Sequence, residues 1–202
     1  MNFKKEEAVS IAVQCAQLYS KNINNKDFLF VCGTLDNPTL LRTTFGPRNY
    51  LHLTGILPTK NSRLNPLRFF DACMTNHLSP DDIILAKDGT TEMKLRVLPY
   101  LMDIPKLARM AGDFSAYGIK LYTEKILGNV YGCMGFVISG ERYVPNTALN
   151  YDVRDITQNR QRILAVFGKK TSEKLYRELC YLAKGVKLED IRIPNVVISK
   201  EN

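Results

Sequence analysis

Residues 28–56, "FLFVCGTLDNPTLLRTTFGPRNYLHLTGI", carry the pattern on which the fold prediction depends. The segment "FLFVCG" is a short apolar run, which predicts a buried strand. Proline, glycine, asparagine and aspartate in "DNPT" and "GPRN" predict turns on either side of "LLRTTF". We therefore predict strands at "FLFVCG", "LLRTTF" and "YLHLTGI", with the last two paired as an antiparallel hairpin.

The strand predicted at residues 50–56 contains His52, one of only two histidines in the chain. Side chains alternate along a strand, so Leu51 and Leu53 would face the core while Tyr50, His52 and Thr54 share the opposite face. That face is either the solvent-facing side of a sheet or the floor of a functional site, and this stretch alone leaves both interpretations open.

The rest of the chain groups its helices and strands instead of alternating them, which favours the α+β class. Apolar residues at helical spacing predict a helix over residues 4–23, and turn and capping signals predict further helices around 65–78, 79–85 and 91–102. Strands are predicted within 118–130, 132–140, 142–153 and 160–170, followed by a final helix from Ser172 to Gly185.

Length and composition bound the protein class. A chain of 202 residues with 45% hydrophobic residues suits one globular domain. It has no apolar run of about 18 residues, as a membrane-spanning helix needs, and "MNFKKEEAVS" lacks the apolar segment of a signal peptide, so we expect a cytoplasmic protein. The five cysteines are odd in number and include no Cys-x-x-Cys pair, so we expect free thiols without disulfides or zinc.

Charge favours an anionic partner. The formal net charge is +8, and two stretches lack acidic residues, 37–70 and 156–172. Their basic residues are Arg42, Arg48, Lys60, Arg63, Arg68, Arg160, Arg162, Lys169 and Lys170. Each stretch alone is equally consistent with a solvated basic face, whereas two together favour nucleic acid.

Several enzyme classes lack their motifs here. The sequence contains no Gly-x-Gly-x-x-Gly, Walker loop, Gly-x-Ser-x-Gly or His-Glu-x-x-His, and Asp81 and Asp82 simply follow the predicted helix cap Ser79. We therefore expect neither a cofactor nor a bound metal. Metal-independent RNA cleavage fits what remains, because it needs only a base, an acid and cations around the phosphate, and histidine can fill either proton-transfer role.

Six motifs in order resemble a phage-borne branch of the barnase, EndoU, colicin and RelE-like nuclease superfamily. They are "NYLHLTGI", "FFDACMTNHLSPDDI", "TTEMKLRVL", "GDF", "CMGFV" and "YVPNTALNYDVRD", within residues 29–184. The resemblance implies an antiparallel sheet of four or more strands, with helices packed on one face and RNA cleaved on the open face. With it we predict an N-terminal helix in 1–26, a nuclease domain in 27–188, a C-terminal helix within it and a tail in 189–202.

The resemblance also implies roles for particular residues. His52 would be the acid or base, Thr54 its neighbour, Lys94 a cation near the phosphate, and Asn146 and Thr147 hydrogen-bond donors. Arg96 would assist, and Tyr50 and Tyr143 would stack on bases. The predicted RNA-binding set is completed by Arg48, Arg63, Arg68, Arg160 and Arg162. Each residue also has an ordinary structural interpretation, such as a solvated helix lysine for Lys94, turn chemistry after Pro145 for Asn146, and a turn brace for Asp113.

Three classes of function remain open. The first is a ribonuclease of a phage or prophage, acting in the bacterial cytoplasm as a toxin or counter-defence factor. Its candidate substrates include tRNA and, for an anti-CRISPR, a guide RNA, and its candidate protein partners are a host effector or an immunity protein. The second is a module that binds RNA or protein without cutting it. It stays open because the chain, unlike the better-known ribonucleases of the superfamily, has no second histidine placed for the opposite proton transfer. The third is a phage structural or host-takeover protein that binds protein and has little affinity for RNA.

Overall fold

A computed structural model describes residues 3–116 and 121–193. Its helices are α1 (Lys5–Asn22), α2 (Tyr50–Thr54), α3 (Pro66–Met74), α4 (Thr90–Leu101) and α5 (Ile104–Leu107). Its strands are β1 (Lys26–Gly33), β2 (Pro38–Phe45), β3 (Leu57–Pro58), β4 (Ile83–Ile84), β5 (Met110–Phe114), β6 (Lys125–Gly128), β7 (Cys133–Ser139), β8 (Arg142–Leu149), β9 (Thr157–Lys170) and β10 (Glu178–Leu182).

Seven of the strands close into a barrel in the order β1-β2-β8-β7-β6-β5-β9. The closing pair is antiparallel β1–β9, which aligns Lys26 with Lys170 and Leu29 with Phe167. Strand β10 pairs with the second half of β9, and β3 and β4 form a separate two-stranded sheet. The α+β class is therefore confirmed, but the predicted antiparallel sheet with helices packed on one face is wrong in two respects. Strands β1 and β9 pair and close the sheet into a barrel, and β2 pairs with β8 in parallel.

The core lies between the helices and the barrel strands. Alternation along β1 sends Phe28, Phe30 and Cys32 into one large cluster with the buried residues of α1 to α4. Leu29 and Val31 join a second cluster on the other side of the strand, under the C-terminal segment. Both faces of β1 are thus covered, as its continuous apolar run predicted.

Residues 50–56 form a helix, so the strand predicted there is wrong. Helix α2 buries Tyr50, Leu51, Leu53 and Thr54, which follow the helical period, and leaves His52 exposed. A 3-10 turn over Pro47–Asn49 precedes it, and Gly55 ends it in the left-handed region with φ of 66°. The partner of β2 in its hairpin is instead β1, aligned from Lys26/Phe45 to Gly33/Pro38.

The predicted C-terminal helix is also wrong. Within residues 172–185 the described element is β10, which pairs with β9 and leaves Leu179 43% exposed. The short helix predicted at 79–85 is one 3-10 turn, capped by Ser79, followed by β4. The predicted N-terminal helix is confirmed by α1. The strand predicted within 118–130 appears as β6, while residues 118–120 and the tail from 194 to 202 lie outside the described residues.

Cysteines and helices bear on two further expectations. All five cysteines are free thiols, four of them buried. Burial raises the pKa of the Cys15 and Cys73 thiols to about 12. In the part of the chain that the structure describes, no helix has both the length and the apolar character needed to cross a bilayer.

Candidate functional site

His52 lies on the exposed side of α2, next to Arg48. The 3-10 turn over Pro47–Asn49 runs directly into α2, so Arg48 and His52 are four residues apart in continuous helical backbone. Side chains at that spacing are neighbours on a helix surface. Both are exposed to solvent, which leaves an imidazole and a guanidinium accessible together.

Lys94 of α4 reaches the same helical turn. Its Nζ donates a hydrogen bond to the carbonyl oxygen of His52 at 3.0 Å. Gly55 makes room for this side chain, because a Cβ at Gly55 would lie 2.8 Å from Cδ of Lys94. The Oγ1 of Thr91 donates to the Gly55 carbonyl at 2.7 Å, so two residues of α4 hold the C-terminal end of α2. Gly55 is thus the point at which the Lys94 side chain approaches the backbone closely.

The environment of Lys94 weakens its hold on its proton. Burial lowers the pKa of the Lys94 ammonium, and the nearby Asp88 carboxylate opposes that shift only in part. Its partner, the His52 carbonyl, is neutral, and among the described residues no carboxylate forms an ion pair with it. A lysine in this state can donate a proton more readily than a solvated one. The same contact also caps the carbonyl end of α2, which is its structural interpretation.

Thr54 and Tyr50 do not share the exposed face of His52, contrary to the sequence prediction. The Thr54 hydroxyl is buried, where it donates to the Leu51 carbonyl at 2.8 Å and accepts from the Ile56 amide at 3.1 Å. Tyr50 is also buried, and its hydroxyl donates to the Ala12 carbonyl. Both residues therefore support α2 from within the core instead of facing a ligand.

Asn146 and Thr147 lie in β8, against which α2 and α4 pack. Asn146 donates to the Tyr122 carbonyl at 2.5 Å and accepts from the Thr123 hydroxyl at 3.2 Å. Thr147 is buried, and its methyl carbon lies 2.6 Å from where a Cβ at Gly135 would be. Their polar groups thus take part in internal hydrogen bonds.

The predicted RNA-binding arginines are all exposed, but they are not equally available. Arg63 and Arg68 are exposed near and within α3. Arg96 is held by Glu92 at 2.6 Å. Arg160 and Arg162 in β9 donate hydrogen bonds to the backbone carbonyl oxygens of Arg154 and Lys184, respectively. The remaining predicted residue, Tyr143, is partly buried and packs against the main core.

A second cluster of polar side chains, which the sequence analysis did not identify, lines the end of the barrel away from α2. We call it the barrel mouth: Thr39, Asp113, Lys125, Asn159 and Gln161, around a cavity of about 220 Å³. Asp113 lies in β5 and bonds to Lys125, so it does not brace a turn as predicted. The available signal was a set of polar residues in strands that also supply core residues such as Leu41 and Ala111, but the contributing positions run from 39 to 161 in the sequence.

Among the described residues, no group of three or more His, Cys, Asp or Glu side chains is arranged to hold a metal ion.

Comparison with known proteins identifies the family to which the chain belongs. No curated protein and no solved structure matches the chain. One family model, phage-Barnase-EndoU-ColicinE5/D-RelE like nuclease4, matches residues 11–185. That range covers most of the chain and includes both ends of the barrel, so the protein belongs to this family of phage nucleases.

Proposed function

We propose that the protein is a metal-independent endoribonuclease whose reaction takes place beside Arg48, His52 and Lys94. The observation that carries the proposal is the contact of the Lys94 ammonium with the His52 carbonyl, beside an exposed imidazole. Two groups able to transfer protons, His52 and Lys94, thus lie in one patch with the exposed guanidinium of Arg48. The family supports nuclease activity in general, and the choice of RNA comes from the chemistry of this patch.

The proposed reaction uses a nucleophile that RNA itself supplies. A base takes the proton of a 2′-hydroxyl, and the oxygen attacks the adjacent phosphorus. The bond from phosphorus to the 5′-oxygen then breaks, and an acid gives that oxygen a proton. The products are a 2′,3′-cyclic phosphate and a free 5′-hydroxyl, so atoms and charge balance without an external nucleophile.

His52 is assigned the base and Lys94 the acid. An imidazole is the usual base near neutral pH. Burial lowers the pKa of Lys94, which suits a proton donor to the leaving oxygen and compensates for the absence of a second histidine in the patch. Arg48 would hold the phosphate through charge-assisted hydrogen bonds.

A specific observation also favours the alternative, a binding module without catalysis. Thr54, Asn146 and Thr147 are occupied by internal hydrogen bonds or burial, so the group of polar residues expected around His52 is incomplete. Such a module would still bind RNA through exposed arginines, with an affinity that falls as salt rises. The narrower roles, namely toxin, counter-defence factor or guide-cleaving anti-CRISPR, are proposals about substrate and depend on cleavage being found first.

The test is incubation of wild type and His52→Ala with total RNA, tRNA and a guide RNA, in EDTA, followed by mapping of the RNA ends. Cleavage by wild type that leaves 2′,3′-cyclic phosphates, and is lost in His52→Ala, is the expected result. His52 is exposed, so the variant should fold normally. Equal cleavage by both proteins rejects the assignment of His52, whereas salt-sensitive binding without products by both supports the binding module.

A further inference from the structure

The barrel mouth is a polar cavity formed by four strands. Thr39 comes from β2, Asp113 from β5, Lys125 from β6, and Asn159 and Gln161 from β9. Leu41 and Ala111 supply an apolar floor, since both belong to the main core. Thr39 and Asn159 are exposed, so the cavity opens to solvent. Small-ligand sites commonly combine such an apolar floor with a few convergent polar groups.

Hydrogen bonds organise the polar groups without using all of them. Lys125 bonds to Oδ1 of Asp113, and Nδ2 of Asn159 donates to Oδ2 of the same carboxylate at 2.8 Å. The Nε2 of Gln161 donates to the Thr39 hydroxyl at 3.1 Å. Within the described residues, the side-chain carbonyl oxygens of Asn159 and Gln161 accept no hydrogen bond. The Lys125 ammonium also has further N–H groups that can donate.

The backbone around the cavity departs from a regular ladder. The register of β5 against β9 shifts between Ala111 and Asp113. Asn159, near the start of β9, has φ of 49°, in the left-handed region. Bulges of this kind redirect side chains and occur often beside functional sites. Here the irregularity brings the Asn159 amide to Asp113.

The mouth is separate from the His52 patch. Thr39 lies near the start of β2, whereas α2 follows the end of that strand at Phe45. Six residues of strand at about 3.3 Å each place these two points about 20 Å apart. A function of the mouth can therefore be tested independently of the proposed ribonuclease reaction.

We propose that the barrel mouth binds a nucleobase, presented by a nucleoside. The Asp113 and Lys125 charges cancel, so the cavity favours a neutral ligand over a free phosphate. Free acceptors on Asn159 and Gln161, together with donors on Lys125, fit the mixed donor and acceptor edge of a base. The base would place one ring face over Leu41 and Ala111.

The experiment is isothermal titration of the full chain with adenosine, guanosine, cytidine and uridine, each taken to millimolar concentration. At least one nucleoside should bind in a one-to-one ratio. Asn159→Gly should weaken it about ten-fold, because the amide is lost while glycine keeps the left-handed backbone without strain. Asp113→Asn, which keeps the shape and removes the charge, should weaken it as well.

Two controls make the outcome decisive. Asn76→Gly repeats the substitution at another left-handed asparagine, with φ of 57°, exposed just after α3, and should leave binding unchanged. His52→Ala should also leave it unchanged. The proposal is overturned if no nucleoside binds wild type, if both mouth variants bind as wild type does, or if His52→Ala abolishes binding, which would assign the ligand to the patch on α2.

Discussion

Lys94 lies on α4 beside His52, whereas Lys125 lies in the barrel mouth, and the two differ in what holds their ammonium groups. Lys125 bonds to the carboxylate of Asp113, so its charge is compensated. Lys94 bonds to a neutral backbone carbonyl, and burial lowers its pKa. An ion pair thus organises the polar side chains of the mouth, whereas a partly buried lysine without an ion-pair partner is suited to give up its proton.

The largest expected effect comes from exchanging each lysine for methionine. Lys94→Met should reduce kcat/KM for RNA cleavage about 100-fold, because a proton donor is lost. Lys125→Met should change it less than about two-fold, since the mouth does not take part in that reaction. Steady-state kinetics on one defined RNA measures both. Equal losses in the two variants would show that the ends of the barrel are not functionally distinct.

Gly55→Ala should have the next largest effect, on the free energy of unfolding. The backbone at Gly55 has a φ of 66°, a left-handed conformation that alanine adopts only with strain. The new Cβ would also lie 2.8 Å from Cδ of Lys94. We expect a loss of about 2–3 kcal/mol, measured by urea unfolding.

Gly89→Ala is the matched control for Gly55. Its φ is 78°, but a Cβ there meets nothing within 4 Å. It should therefore cost only about 1 kcal/mol, from the backbone alone. If both variants lose the same stability, Lys94 does not pack tightly over α2 and its role at His52 weakens.

Thr54→Val tests whether Thr54 acts by structure or by chemistry. Valine keeps the shape but removes the hydroxyl that accepts from the Ile56 amide. We expect the free energy of unfolding to fall by about 1 kcal/mol and RNA cleavage to stay unchanged at a temperature where the variant is folded. A large loss of kcat without a loss of stability would restore the role predicted from the sequence.

The smallest effect should be on the acid stability provided by Asp113. Hydrogen bonds from Lys125 and Asn159 lower the pKa of Asp113 in the folded state. Its contribution is therefore fully present above the unfolded pKa of about 3.9 and is lost as pH falls through the lower folded value. Because the pair is about one-third exposed, the contribution should stay below about 1 kcal/mol.

Urea unfolding of wild type and Asp113→Asn, at neutral pH and near pH 2, measures this contribution. The wild type should lose more stability on acidification than the variant, so the gap between them should narrow. An identical pH dependence for both proteins would mean that the Asp113–Lys125 pair adds nothing to stability.

Local sequence patterns correctly predicted the helices and strands whose spacing of apolar residues fits only one type of secondary structure. Helix α1 and strands β1 and β2 appear close to their predicted bounds. The stretch at 50–54 failed because Leu51 and Leu53 fit a strand, while Tyr50, Leu51, Leu53 and Thr54 together fit a helix. Pro47 before this stretch and Gly55 after it are ordinary helix start and stop signals, and they would have decided the question.

The errors elsewhere come from interactions that no local pattern contains. Leu175, Leu179 and Leu182 have helical spacing, yet β9 offers an edge with which residues 178–182 pair. Tertiary context of this kind overrides local preference. The resemblance to the family named His52 and Lys94, and their contact depends on α4 docking against α2. The barrel mouth was missed because Asp113, Lys125 and Gln161 meet only through long-range strand pairing.

Closure of the barrel through β1 and β9 has a consequence for synthesis on the ribosome. The hairpin of β1 and β2 can form early. The second edge of β1, however, stays unpaired until residues 163–170 of β9 emerge, more than 130 positions later in the chain. Pairings over such separations form slowly. The nascent protein should therefore expose the free edge of β1, with its apolar residues Phe28 to Cys32, and we expect it to depend on chaperones during that interval.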